Sequence, residues 1–413
     1  MAPSQMSYAP TLGKLLKSLN SQPLEASIES LIYLLKRRQV KGDDIANATA
    51  HMLLQVVAKS KWQSVDQLLA KVSNTGLRLA QAAPTELVIG NVVRRVMGLI
   101  RDEATEERNA DEMGDSVSDL SQLPATPTMS SRPGPTPIRA GTGLPMSKSM
   151  FNLLCVTETV SSPATGTSTP MSQGASANMH ALRSEVIDGI EEIMDEISQA
   201  DDQIAGFADI QIHPGDYVLA YLPSPTVERF LIKAAAKRRF TVFLASGERQ
   251  KPGEAPHAAL RKKLNGLGVN TISLASNGLM AYMPRVNKVV IGAKAVYANG
   301  GVSTESGCSI AARAAREYSK PVIVLSGVYK FTPADPSDDV AEFEQGDSSE
   351  FVEYADGEAV NALEVENIVA EYLPAQYVDV YLTNLGPQTR DHLATIMADH
   401  YKSEDMGLSL HLP

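Results

Sequence analysis

The stretch "VVIGAKAVYANGGVSTESG" (residues 289–307) decides the fold. An apolar run ends in Gly292, an Asn-Gly-Gly turn follows, and a helix rich in small residues, "SGCSIAARAAREYS", comes next. A buried strand that passes through a glycine turn into a helix is the repeating step of a parallel sheet with helices on both faces. Asn299, Gly300 and Gly301 supply the turn, because Gly adopts positive φ without steric cost and Asn tolerates it. Amides at such a helix start also suit an anion, so the loop has the shape of a substrate site.

The same alternation extends to either side. "YVLAYLP", "FTVFLAS", "NTISLAS", "NKVVIGA" and "PVIVLSGV" are short β-branched runs separated by helical stretches such as "TVERFLIKAAAKRR" and "APHAALRKKLNGLG". "YVDVYLTNLGP" and "RDHLATIMADHY" close the series with a strand and a helix. Residues 214–413 are therefore expected to form a Rossmann-like parallel-sheet domain. Toward the N-terminus the period changes. "SLIYLLKRR", "TAHMLLQVVAKS", "SVDQLLAKV" and "GNVVRRVMGLIRDE" repeat apolar residues every three or four positions, which predicts a helical domain over 1–103 with Trp62 in its core. In "ALRSEVIDGIEEIMDEISQA", Leu182, Val186, Ile190, Ile193 and Ile197 share one face of a long helix, and residues 181–213 should link the two halves. The fold class is α/β.

Between them, residues 104–180 lose the periodicity to Ser, Thr, Pro and Gly, a composition that buries too little apolar surface to offset its ordering entropy. A mostly disordered insertion is expected, with Thr126, Thr136, Ser162 and Thr169 as Ser/Thr-Pro candidate phosphosites and "KSMFNLLCVTE" (148–158) as an apolar docking segment. From Phe331 to Thr389 fourteen Asp or Glu residues occur with no Lys or Arg, an acidic surface band read as a loop over about 334–358.

Composition narrows the function. The formal charge is -11, which argues against direct nucleic-acid binding, since phosphate contacts need a basic surface. The basic clusters "LLKRRQVK", "KAAAKRRF" and "RKK" read as solvated helix faces. Two cysteines and seven scattered histidines offer no disulfide framework and no metal-ligand spacing, so neither metal nor other cofactor is expected. No run is long enough to span a membrane, and the first residues lack the pattern of a signal peptide, which points to a cytoplasmic protein. In "GNVVRRVMGLIRDE", Asn91, Arg94 and Arg95 make a paired basic site in an acidic chain and are the candidate partner contact.

The loop with "AARAAREYSKPVIVLSGVYKFTP" behind it resembles the signature of a superfamily that joins the sugar-phosphate aldose-ketose isomerases to the alpha, beta and delta regulatory subunits of eukaryotic translation initiation factor 2B. The resemblance covers nearly all of the chain outside the insertion. The isomerases are similar in using a cysteine after the first strand of the C-terminal domain, an aspartate in a Gly-Ala-Asp version of the loop, and usually a lysine further on. Carried over, those positions fall at Leu222, Lys294 and Glu305. Leu cannot transfer a proton and Lys294 reverses the expected charge; each positioned proton-transfer group is worth roughly 10² to 10⁴ in rate. No catalytic residue is assigned. The resemblance instead implies a non-catalytic scaffold in the guanine-nucleotide exchange factor for initiation factor 2, with homologous alpha and delta subunits, catalytic gamma and epsilon subunits, and the alpha subunit of initiation factor 2, whose phosphorylation is sensed, as partners. A decamer with two copies of each subunit is implied. "SIAARAA" and "VYLTNLG" are candidate subunit-packing stretches. The alternative is a sugar-phosphate aldose-ketose isomerase acting alone.

Overall fold

The computed structural model describes residues 11–118, 171–247, 257–334, 343–352 and 364–406, with Gly357 and without positions 20 and 41. Thr126, Thr136, Ser162, Thr169 and the docking segment 148–158 lie outside the described residues. The chain divides into two compact units, residues 1–105 with 181–413, and residues 106–180.

Five helices open the first unit: α1 (Leu12–Ser18), α2 (Leu24–Lys36), α3 (Asp43–Lys59), α4 (Val65–Ala82) and α5 (Leu87–Ser118). Local chemistry sets their ends. Ser64 accepts from the amide of Gln67 at the start of α4, and Asp43 and Asp44 put negative charge on the first turn of α3, where the helix dipole favours it. Gly76 lets α4 approach α5, since a Cβ there would lie 2.7 Å from the Val93 side chain. Trp62 is buried beneath the Arg183 guanidinium, 4.9 Å from the ring centre, on α6 (Met171–Gly206). That helix buries Leu182, Val186, Ile190, Ile193 and Ile197 along one side. The helices outlast their apolar faces: α5 runs to Ser118 and α6 begins at Met171, inside the segment expected to lack order. Helix propensity accounts for the extension of α5, whose "EATEERNADEM" is rich in good helix formers although it has no apolar stripe.

The short α7 (Ala208–Gln211) leads into the sheet domain. Its strands and helices alternate: β1 (Tyr217–Tyr221), α8 (Pro225–Lys237), β2 (Thr241–Ser246), α9 (Ala258–Gly266), β3 (Asn270–Ala275), α10 (Leu279–Tyr282) and β4 (Lys288–Gly292). Then follow β5 (Ala295–Tyr297), β6 (Val302–Glu305), α11 (Cys308–Glu317), β7 (Val322–Leu325), β8 (Phe331–Thr332), β9 (Phe343–Gln345), β10 (Ile368–Leu373), β11 (Val380–Thr383), β12 (Gly386–Gln388) and a last helix, Leu393–His400. A seven-stranded sheet has the order β12-β11-β7-β4-β1-β2-β3 and is parallel except for the β11–β12 hairpin. Side chains alternate between two cores. Val218, Ala220, Val242 and Leu244 pack with α8 and α9, while Leu219, Tyr221, Phe243 and Ala245 pack with α10, α11 and the last helix. Burial on both faces explains why these strands read as continuous apolar runs.

A second sheet, ordered β8-β5-β6-β10-β9, departs from the sequence expectation. β5 leaves the carboxyl end of β4 and β8 follows β7, so this sheet roofs that end of the parallel one. The stretch that opens the sequence reading is thus not a direct strand-to-helix turn but a β-hairpin, β5–β6, before α11. The acidic band also departs from a plain loop, because Phe343–Gln345 pairs with β10 inside it. Strands of two to four residues are too short to show a period.

Candidate functional site

In folds of this class, ligands bind outside the carboxyl ends of the strands where the sheet order reverses, here between β1 and β4. The sequence fills that crevice. Gly292 ends β4, and a Cβ on it would run into the Ser224 side chain, which caps α8 by accepting from the Val227 amide at 3.4 Å. Gly307, at φ 97, lets α11 start against the Tyr221 ring. Leu222 follows β1 in a left-handed backbone conformation, φ 40, with its amide donating to Ala245 O at 3.0 Å and its side chain packed on the core. A non-glycine residue holds such a conformation only where its surroundings over-determine it.

The hairpin stands beside this crevice. Gly300 N donates to Tyr297 O and Tyr297 N to Gly301 O, while Asn299 Oδ1 accepts from Gly301 N at 2.7 Å. Gly300 takes φ 84, as expected for the turn. Gly301 does not; it is small because Tyr372 lies over it. Tyr381 donates to Gly300 O, which ties the turn to β11.

Lys294 meets Glu344 at 3.1 Å and Glu305 at 3.6 Å. Burial pulls the Lys294 ammonium down, but Glu305 and Glu344 outweigh it and raise its pKa above the usual lysine value. It is a fixed cation, unable to act as a base. Cys308 supplies no nucleophile either, because burial first, and then Glu371, push its thiol up. The amides of Gly307 and Ser309 both donate to Glu371 Oε1, at 2.8 and 2.7 Å. The chain's own carboxylate therefore occupies the helix start that could receive an anion.

Burial corrects Asn91 and Arg94 as a partner contact, whereas Arg95 is half-buried. Asn91 and Arg94 are 1% and 3% exposed, and Asn91 donates to Tyr329 O at 3.2 Å. Burial lowers the Arg94 pKa, opposed by Tyr401 and Asp405. Arg95 pairs with Glu196 on α6. Helix α5 is wrapped on several sides, so these polar groups bind the chain to itself. Of the three, Arg95 borders a groove of about 480 Å³ between α5, α6 and the last helix, lined also by Leu99, Asp102, Glu192 and Lys402.

A second charged cluster escaped sequence reading. Asp43 at the start of α3 accepts from Tyr329 and pairs with the buried Lys330 at 2.8 Å, while Asp201 near the end of α6 meets Arg229 on α8 at 3.3 Å. Burial raises the Asp43 pKa, but Lys330 and Tyr329 outweigh it and hold the carboxyl below the usual range. Asp201 goes the other way, raised by burial and by Asp43. Tyr329 and Lys330 lie a few residues after β7, and Asp43, 286 positions away from Tyr329, completes the cluster, a separation that sequence reading does not bridge. Among the described residues no group of His, Cys, Asp or Glu is arranged to hold a metal, and no helix is long and apolar enough to cross a membrane.

Comparison with known proteins gives likenesses over nearly the whole chain. The model of the initiation factor 2 subunit family matches residues 39–389. Translation initiation factor eIF2B subunit beta of Schizosaccharomyces pombe is 32% identical over 403 residues, covering 94% of this chain and 99% of that protein. The crystal structure of eIF2B beta from Chaetomium thermophilum is 52% identical, with a TM-score of 0.68 over 96% of this chain and 98% of that one. A chain of the tetrameric eIF2B-beta2-delta2 complex from the same organism is 54% identical, with a TM-score of 0.68 over 95% of this chain and all of that one.

Proposed function

The chain belongs to the initiation factor 2 subunit family, and from that membership we propose that it is a beta-type, non-catalytic regulatory subunit of the guanine-nucleotide exchange factor for translation initiation factor 2. It pairs with a delta-type subunit, joins alpha, gamma and epsilon subunits in a decamer with two copies of each, and contributes to binding the alpha subunit of initiation factor 2 and responding to its phosphorylation. The observation that carries the non-catalytic part is the crevice. Leu222 and Lys294 replace proton-transfer groups, and Glu344 and Glu371 occupy the cation and the helix start that a phosphorylated substrate would need. The whole-length likeness to a beta chain solved in a beta2-delta2 tetramer supports the partner. So do Ile310 on α11 and Leu385 beside β12, 52% and 56% exposed, which place apolar surface in the two stretches suited to subunit packing.

Mixing the purified chain with a delta-type subunit tests the reading. Assembly is expected to raise the melting temperature, because a partner that binds only the folded state stabilises it, and GDP release from initiation factor 2 should quicken once gamma and epsilon are added. The chain alone should turn over neither methylthioribose 1-phosphate nor ribose 1,5-bisphosphate. Turnover of either sugar phosphate, or indifference to the delta-type partner, would overturn it.

A further inference from the structure

We propose that Glu344 on β9 is a latch that clamps the helical half of the chain onto the roof of the parallel sheet, so that this part of the acidic band serves the chain's own closure. Three distant elements converge on its carboxylate. Lys294, just ahead of β5, lies 3.1 Å from Oε2; Thr85, between α4 and α5, donates to Oε1 at 3.4 Å; Arg38, just after α2, lies 3.7 Å away and donates from its other nitrogen to Gln345 O at 2.9 Å. The Glu344 side chain is only 13% exposed, which leaves little of it for a basic partner. Arg38 makes these contacts from a left-handed backbone conformation, φ 52.

The strand needs such anchors. β9 is a three-residue edge with an irregular register against β10, so its ladder is short. Glu305 shares Lys294 at 3.6 Å, and Glu86 sits next to Thr85 within the influence of Lys294, Lys330, Glu305 and Glu344. A cation withdrawn from this group would leave carboxylates facing one another. The helical half and the hairpin are thereby coupled: an event that draws Arg38 or Thr85 away loosens β9, and with it the Lys294 side of the hairpin.

Hydrogen exchange on the full-length chain tests the latch independently of any partner or complex. In Glu344→Gln, amides at 85–92 and 294–303 should exchange about tenfold faster, the scale of losing one charge-assisted hydrogen bond, while β1 and β2 amides keep their rates. Lys294→Met should reproduce the effect on the hairpin, and the double variant should be no faster there than either single one, because both remove the same link. Asp347→Asn, which alters the same segment without touching the latch, should change neither region. Unchanged rates in Glu344→Gln, additive effects in the double variant, or an equal rise throughout β1 and β2 would each overturn the proposal.

Discussion

In the seven-stranded sheet a residue's side is set by alternation: Leu219 and Phe243 enter one core, Val218 and Val242 the other, and the helices on both faces bury them completely. The five-stranded sheet above it shares the first of these cores through Val296, Val302, Phe331 and Leu373, and single contacts at the crevice add to that burial. Lys294 reaches Glu344, Tyr381 reaches Gly300 O, and Tyr372 covers Gly301. The first is a collective, area-driven structure; the second adds a set of specific ties to that burial. The difference teaches where function can change without loss of fold, since the ties line the crevice and the apolar alternation lies beneath it.

The comparison breaks first if removing core area proves cheap. Phe230→Ala, on α8 and fully buried, should cost about 3–5 kcal/mol as lost transfer energy plus a cavity, read as a fall in the denaturant midpoint with an unchanged slope. A loss below about 1 kcal/mol would mean that the sheet domain collapses around the gap as loosely as a surface loop.

This contrast also explains what could be read from the sequence. The parallel strands and the α6 face were legible because period-two and period-3.6 burial leave patterns over many residues, as in "YVLAY" and in Leu182 to Ile197. The roof was not, because β5, β8 and β9 have three residues or fewer. Resemblance singled out Leu222, Lys294 and Glu305 but said nothing of what they touch: Glu344 lies 50 residues from Lys294, inside a band that looks like solvated charge. Asn91 and Arg94 misled for the related reason that a polar side chain on an amphipathic helix looks exposed until other elements cover it.

The turn sharpens the comparison at intermediate size. A Cβ at Gly300 would lie 2.9 Å from Arg390 Cγ and 3.0 Å from the Tyr381 hydroxyl, and φ 84 disfavours any β-branched residue. Gly300→Val should therefore cost about 1–3 kcal/mol in backbone strain alone. Gly300→Ala should cost less, and the gap between the two in thermal melts measures the added β-branch. Equal, negligible losses would show that the hairpin is not built on this conformation.

Smaller still is the Arg95–Glu196 pair, whose side chains are about a quarter exposed and therefore screened. Arg95→Ala should cost about 1 kcal/mol or less, with delta-type assembly unaffected, since the pair ties α5 to α6 within one chain. A loss of assembly without a loss of monomer stability would return Arg95 to the partner surface.

The smallest effect has the opposite sign. Glu86 is half-buried at the start of α5 beside the latch, and burial, aided by Glu344 and Glu305 and opposed by Lys294 and Lys330, raises its pKa. A carboxyl whose folded pKa is raised disfavours folding when ionised; the penalty is full above the folded pKa and vanishes below the unfolded one, about 4.3. Glu86→Gln should accordingly be more stable than the parent at pH 7, and the two melting curves should converge as the pH is lowered through the carboxylate range. In Glu344→Gln the advantage should shrink, because one of the negative neighbours that makes ionised Glu86 costly is gone. A Glu86→Gln variant less stable than the parent at neutral pH would mean that Lys294 and Lys330 dominate at this position, and that the ionised carboxylate beside the latch is a net source of stability.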